Sequence, residues 1–306
     1  MESATVAEEA LDSLGEVIDA HTHVDEVHAL GWVDPPEKLV ALLDEAGISR
    51  AVVMTYTELP GFNPHALEYL AGAVARFPDR LVGFARLHPW YDEAPGLLER
   101  AIGSYGMKGL KLHPVGTLDH PASAATVRLL RLAGERGAPA LFHCGDEPMT
   151  TPTAIAAGAA QAPDTTVILG HMGGYYHVDE AIRVAERHPN IVLETSAMPY
   201  PEKIRAAIDR VGPERVVYGS DGPGCPPPAG AAQGPGRRPD RGRTQAGAAR
   251  QHAAALRPRR ALMSNVVDAL ALVGPSLFGR SQSCTELLAG MDRAGIDVTL
   301  VAPARP

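Results

Sequence analysis

The stretch VIDAHTHVDE, residues 17–26, sets His21 and His23 one residue apart at the end of an apolar run. In an extended segment residues i and i+2 share a face, so both imidazoles can reach one ion. Neutral imidazoles with a carboxylate hold a divalent ion such as zinc at about 2.0–2.2 Å. An open position on that ion lowers the pKa of bound water from about 15.7 to about 7 and supplies hydroxide at neutral pH. Alone, H-x-H is a weak signal, because two polar residues leaving a strand read the same way. Further residues of the right types follow: Lys111 and His113 in KGLKLH, His143 in PALFHC, His171 in TTVILGH and Asp221 in RVVYGSD.

Each of these residues stands in or at the end of a short, nearly continuous apolar run. The runs are EVIDAH (16–21), RAVVMT (50–55), LVGFARLH (81–88), KGLKLH (108–113), PALFHC (139–144), TTVILGH (165–171), NIVLET (190–195) and RVVYGSD (215–221). Gly, Pro or polar residues bound them, as expected of buried parallel strands. Amphipathic stretches lie between. PPEKLVALLDEAG (35–47) has Pro at its start and Gly at its end, the punctuation of a helix. Residues 64–80, 123–137, 178–189 and 201–215 follow similar patterns. Strands alternating with helices over this length predict a (β/α)8 TIM barrel. The rival, an open doubly wound sheet, would want a glycine-rich phosphate turn after its first strand. Here that place holds His-Thr-His.

A barrel brings the C-terminal ends of all its strands to one face. His21, His23, His143 and Asp221 are then the expected metal ligands. His171 would orient or deprotonate the water, or contact substrate. The period-2 rule puts Lys111 and His113 on one face, with Lys111 deeper, and both are read as substrate-binding. A buried lysine needs a reason. It could pair with a carboxylate, for which Glu194 is the candidate, bind an anionic substrate, or be carbamylated to bridge two metals. Plainer readings exist for each residue. Asp221 before Gly-Pro can make a turn, His143 can be a satisfied polar residue, and Lys111–Glu194 can be a structural pair. Four strands supplying ligand types at one end favour the metal reading. His28, His65, His120, His177 and His188 fall in loops or helices and are expected at the surface. His88, before a proline, is not placed in the site.

Composition bounds the class. The 306 residues are 45% hydrophobic but only 5% aromatic, so the core must be mostly aliphatic. A formal net charge of −8 argues against general nucleic-acid binding. No apolar run approaches membrane-spanning length, and the acidic start lacks a signal-peptide layout. Three scattered cysteines make no disulfide framework. The expectation is a cytoplasmic protein with a small-molecule substrate, no nucleic acid or membrane partner, and homodimer formation left open.

DAHTH, GLKLHP, LFHCG, ILGHMGG and YGSDGP, in this order and spacing, resemble the amidohydrolase superfamily. The likeness is to its amidohydrolase-2 branch, which includes the aminocarboxymuconate-semialdehyde decarboxylase relatives, and it spans about residues 16–224. It implies a metal-dependent barrel in which His21, His23, His143 and Asp221 are ligands and His171 is catalytic. It further implies one metal ion, commonly zinc. Binuclear relatives carboxylate the lysine that matches Lys111. Most members hydrolyse amide, ester or lactone bonds, with Asp221 shuttling the proton, and a hydrolase is the main expectation. A subset are non-oxidative decarboxylases, the alternative.

After Asp221 the pattern departs. Residues 225–260 carry eight arginines and one acid, Asp240. The region to residue 262 is rich in Pro, Gly, Ala and Arg. This composition cannot bury a core and is expected to form a disordered linker, or to be an out-of-frame segment. Residues 263–306 then resemble the start of a second barrel. TELLAGMDRAGIDVTLV (285–301) matches EKLVALLDEAGISRAVV (37–53) at seven of 17 positions. The domain reading is thus a barrel over 1–224 lacking its normal last helix, a linker over 225–262 and a partial helix–strand unit over 263–306. Loss of that helix should bare apolar surface on the first and last strands. A third functional reading follows, an inactive truncated fusion product.

Overall fold

The computed structural model describes residues 17–58 and 64–224, together with the backbone of 267–275, 281–282 and 298–303. The expected linker, residues 225–262, and the helix expected near 285–294 lie outside the described residues.

Eight parallel strands form the barrel sheet. They are β1 (Ile18–His23), β4 (Arg50–Met54), β5 (Leu81–Arg86), β6 (Gly109–Leu112), β7 (Ala140–His143), β8 (Val167–Gly170), β9 (Ile191–Glu194) and β10 (Val216–Val217). A short hairpin of β2 (Asp25–Val27) and β3 (Trp32–Asp34) follows β1. The helices are α1 (Pro36–Ala46), α2 (Ala66–Arg76), α3 (Ala94–Gly103), α4 (Pro114–Thr117), α5 (Ala124–Glu135), α6 (Pro152–Ala159), α7 (Val178–Arg187) and α8 (Pro201–Val211). Beyond the barrel, β11 (Val267–Pro275) pairs in parallel with β13 (Val298–Pro303) and antiparallel with β12 (Ser281–Gln282). Among the described residues no helix is long and apolar enough to cross a membrane.

The helix signals act as expected. Pro36 opens α1, and Gly47 closes it in the left-handed conformation (φ 68°), which costs a side-chain-free residue little. Ser123 caps α5 by accepting from the Thr126 N–H at 3.0 Å.

The barrel closes between β10 and β1 through single backbone hydrogen bonds. Ala20 N donates to Tyr218 O, His23 N to Gly222 O and Asp221 N to His21 O, at 2.7–2.9 Å. This seam brings the end of the last strand beside the H-x-H of the first. The apolar residues at this seam are buried. Val17, Ile18, Val216 and Tyr218 are all buried, in one cluster with Leu39 and Leu43 of α1 and Ile204 and Ile208 of α8.

The core has two layers. The larger lies between strands and helices. The smaller fills the barrel interior with Ala20, Val52, Met54, Val82, Phe84, Leu141, Ile168, Val192 and Val217. Side chains alternate along a strand, so the residue two places beyond an interior apolar residue faces the barrel mouth. Phe84 is thus followed by Arg86, Leu141 by His143, Val192 by Glu194 and Met54 by Tyr56. On β1 the register against β4 shifts between Asp19 and Thr22, as at a β-bulge. That irregularity turns His21 and His23 toward the mouth although Ala20 already points inside.

Candidate metal centre

Three of the expected ligand groups converge. His21 Nε2 lies 3.3 Å from His23 Nε2, His23 Nε2 lies 3.1 Å from Asp221 Oδ1, and His21 Nε2 lies 3.6 Å from Asp221 Oδ1. Two ligand atoms held at about 2.05 Å from a tetrahedral ion stand about 3.3 Å apart. The observed separations match that value, and the donor set is two nitrogens and one carboxylate oxygen. The residues present therefore fit a divalent ion. Asp221 holds a positive φ of 63°, a conformation uncommon outside glycine and typical of functional positions.

A second group of possible donors, His21, His171 and Glu194, also clusters, but its centre is filled by a hydroxyl. Ser196 Oγ lies 2.8 Å from Glu194 Oε2, 2.8 Å from His171 Nδ1 and 3.4 Å from His21 Nδ1. This is a hydrogen-bond network. Glu194 Oε2 accepts from His21 Nδ1 at 2.8 Å, from Ser196 Oγ, and from the His171 backbone N–H at 3.2 Å, while its Oε1 accepts from the Ser196 N–H. Assigned from this network with Glu194 ionised, His21 carries its proton on Nδ1 and turns a bare Nε2 to the donor cluster, the arrangement of carboxylate-backed metal ligands. Ser196, having given its proton to Glu194, accepts from His171 Nδ1. That leaves His171 Nε2 bare and turned into the pocket.

The remaining predicted residues surround these. His143 lies outside both groups. Its Nδ1 stands 3.1 Å from His171 Nε2, and its ring stacks on His113 with centroids 4.3 Å apart. His113 is held by its own loop, Nδ1 accepting from the Gly116 N–H at 2.8 Å. Lys111 is buried, as the period-2 rule requires. Its carboxylate pairing differs from expectation: Nζ points at His21 Nε2 at 2.8 Å, because Glu194 is already committed to His21 and Ser196. Arg86 ion-pairs with Glu58, its Nε 3.0 Å from Glu58 Oε1. His28, His65 and His120 are exposed and His177 and His188 half-buried, while His88 accepts from the Trp90 N–H in its own loop.

Burial governs the electrostatics. It pushes His21 well below the ordinary imidazole range, with the Lys111 charge adding to the effect. Burial also lowers His23 and His143, and takes His113 to about 3 and His171 to about 4. All five are held neutral, the form that ligates. Burial would raise Asp221, but the bond and charge of His23, with His171 and Lys111, outweigh it and hold the carboxyl at about 2. Lys111 falls to about 7 through burial and then Arg86. Burial pushes Glu194 up to about 8. Its four donors oppose this, and a cation on His21 would favour the carboxylate further.

Three residues packed around the donor cluster escaped the sequence reading: Ser196 had no motif, and Asp25 and Tyr56 fall just past the runs that end at His21 and Thr55. Glu194 was named, but as the partner of Lys111, where the structure sets it on His21 and Ser196. The period-2 continuation of VVMTY could have placed Tyr56 at the mouth.

A family model described as Amidohydrolase matches residues 18–253, beyond the 16–224 span of the recognised motifs. No curated protein matches the chain. Solved structures of similar fold include an uncharacterized TIM-barrel protein from Bordetella bronchiseptica at 20% identity and TM-score 0.56, covering 69% of this chain and 87% of that one. A 2,6-dihydroxybenzoate decarboxylase from Rhizobium is similar at 16% identity and TM-score 0.53, over 68% and 88% of the two chains. A 5-carboxyvanillate decarboxylase from Novosphingobium aromaticivorans, complexed with manganese and a nitrobenzoic acid, is similar at 15% identity and TM-score 0.55, over 69% and 88%. These likenesses show the fold.

Proposed function

The chain belongs to the amidohydrolase family, and on that footing we propose that it is a metal-dependent carboxy-lyase acting on a small carboxylated ring compound. The observation that carries the reading is the buried lysine at the donor cluster. Lys111 Nζ lies 2.8 Å from His21 Nε2, with no carboxylate bonded to it among the described residues. A buried amine in that place suits a substrate that brings its own carboxylate better than a neutral amide, ester or lactone. Two structures of the same fold, the 2,6-dihydroxybenzoate and 5-carboxyvanillate decarboxylases, add support.

His21, His23 and Asp221 would hold one divalent ion, zinc or manganese. Bound there, the ion would supply Lewis acidity that anchors substrate oxygens and takes up developing negative charge. His143, a ligand in the sequence reading, is assigned instead to the pocket wall, because its Nδ1 is turned to His171. Lys111 and His113 bind and orient the substrate. In decarboxylation the carbon–carboxyl bond breaks with its electron pair left on the ring carbon, and that carbon takes a proton as CO2 departs. His171, whose bare Nε2 faces the pocket, takes that proton from solvent or from the substrate's own acidic group and passes it to the carbon, while Asp221 stays ionised in the donor set. Glu194 and Ser196 fix the tautomers that this requires.

Hydrolysis, the wider expectation from the superfamily, would use the same donors, and an inert fusion product would use none. The full chain loaded with Zn2+ or Mn2+ separates the three. CO2 release from a panel of hydroxybenzoic acids, without turnover of esters, lactones or amides, supports the proposal. Turnover of the second panel alone replaces it with hydrolysis. Failure to bind either metal leaves the fusion reading.

A further inference from the structure

His21 and His23 are oriented in different ways. His21 is fixed through Nδ1 by Glu194. His23 also turns Nε2 toward the donor cluster, yet its Nδ1 is buried with no hydrogen-bond partner among the described residues. A ligating imidazole is usually held by a bond at its second nitrogen, and here that device is missing. What His23 has is a covered face. The Tyr56 ring lies on it with centroids 4.4 Å apart and planes 9° from parallel. Trp32 of β3 backs Tyr56 at 5.5 Å.

The stack is itself braced. Asp25, two residues beyond His23, is fully buried. Its Oδ2 accepts from the Tyr56 N–H at 3.1 Å, the Thr57 N–H at 3.1 Å and the Thr57 hydroxyl at 2.9 Å. From the other side Arg86 donates to Thr55 O at 3.4 Å. One carboxylate just past the ligand, on β2, thus fixes the segment that carries the ring. An imidazole that bears part of a cation's charge is attracted to the face of a phenol ring, beyond the area it buries.

We infer that Tyr56 is a positioning residue for the metal centre, its ring doing for His23 what the Glu194 carboxylate does for His21. The inference rests on the assignment of His23 as a ligand. The expected effect is on ion affinity, and it depends on the ring and not on the hydroxyl.

The test is the Zn2+ dissociation constant of the full chain, by competition with a chromogenic chelator, for wild type, Tyr56→Ala, Tyr56→Phe and His23→Ala, with circular dichroism and melting temperature for each. Tyr56→Ala should bind Zn2+ roughly three- to tenfold more weakly, with its fold intact. Tyr56→Phe should restore wild-type affinity. Wild-type affinity in Tyr56→Ala overturns the inference while the site stands. Weakness in Tyr56→Phe equal to that of the alanine variant overturns it in favour of the hydroxyl. A parallel loss of structure in Tyr56→Ala that Tyr56→Phe does not correct overturns it in favour of a packing role. Zn2+ binding unchanged in His23→Ala removes the ligand assignment, and the inference with it.

Discussion

His21 Nδ1 and Glu194 Oε2 lie 2.8 Å apart, both buried, and this contact decides which nitrogen of His21 faces the donor cluster. An ionised carboxylate can only accept, and a cation on His21 would hold Glu194 in that form against its burial. With the ion bound, Nδ1 then carries the proton and Nε2 the lone pair. The same carboxylate takes the Ser196 hydroxyl proton, which sets His171 in turn. One acid thus dictates the tautomers of two histidines, one on β1 and one just beyond β8.

Replacing Glu194 with Gln tests that control. A glutamine amide offers one oxygen and brings two protons of its own, so it cannot accept from His21, Ser196 and the two backbone N–H groups together. Loss of a partner behind a ligand typically costs about ten- to a hundredfold in metal affinity or activity. Glu194→Gln should show a loss of that size in Zn2+ affinity with an unchanged circular dichroism spectrum. Wild-type affinity would mean that packing alone orients His21.

Lys111 is aimed at the other ring nitrogen of His21, Nε2, at 2.8 Å, and its role differs from Glu194's. If it binds the substrate's charge, Lys111→Met should keep one metal ion per chain and lose at least roughly tenfold in kcat/KM, mainly through KM. The methionine fills a similar volume, so the fold should hold. A fall in metal content in this variant would instead mean that the lysine helps to hold the ion.

How far the sequence led can be judged from these residues. The barrel strands were legible because a strand buried on both faces is apolar at nearly every position. A polar residue at its end then stands out, as His143 and Asp221 do. His21 and His23 were legible for a reason the period-2 rule does not contain, since their shared direction depends on the register shift after Asp19. The β2–β3 hairpin left no pattern, because three-residue strands are too short to show one. Helix α6, nearly all small apolar residues, lacks the amphipathic contrast that marked the others. The Glu194–Ser196–His171 network and the Asp25–Tyr56 brace join residues distant in sequence. Local patterning carries no information about such partners.

The close packing behind His21 makes Gly219 a sensitive position. A Cβ there would run into the Glu194 carboxylate and come within 2.8 Å of His21 Cβ. Gly219→Ala should therefore push Glu194 off His21 and strain the seam between the first and last strands. Overpacking of this kind costs about 1–3 kcal/mol. Melting temperature and Zn2+ affinity should fall together, which distinguishes this variant from Glu194→Gln, where affinity falls further than stability.

Metal removal addresses whether the ion is built into the folded state. Three donors 3.1–3.6 Å apart come from opposite ends of the barrel sheet, His21 and His23 from β1 and Asp221 from just beyond β10. An ion that binds them ties the seam shut and has no equivalent site in the unfolded chain. At free metal a hundredfold above its dissociation constant, such binding stabilises by about 2.7 kcal/mol. For a barrel of this size that corresponds to about 5–10 °C in melting temperature. Chelation should lower the transition by that amount, and Zn2+ or Mn2+ should restore it in proportion to the logarithm of the free concentration. His23→Ala should melt at the chelated temperature and ignore added metal. A wild-type transition that chelators leave in place would mean the seam is held by its backbone hydrogen bonds alone, and that these three donors are not a metal site.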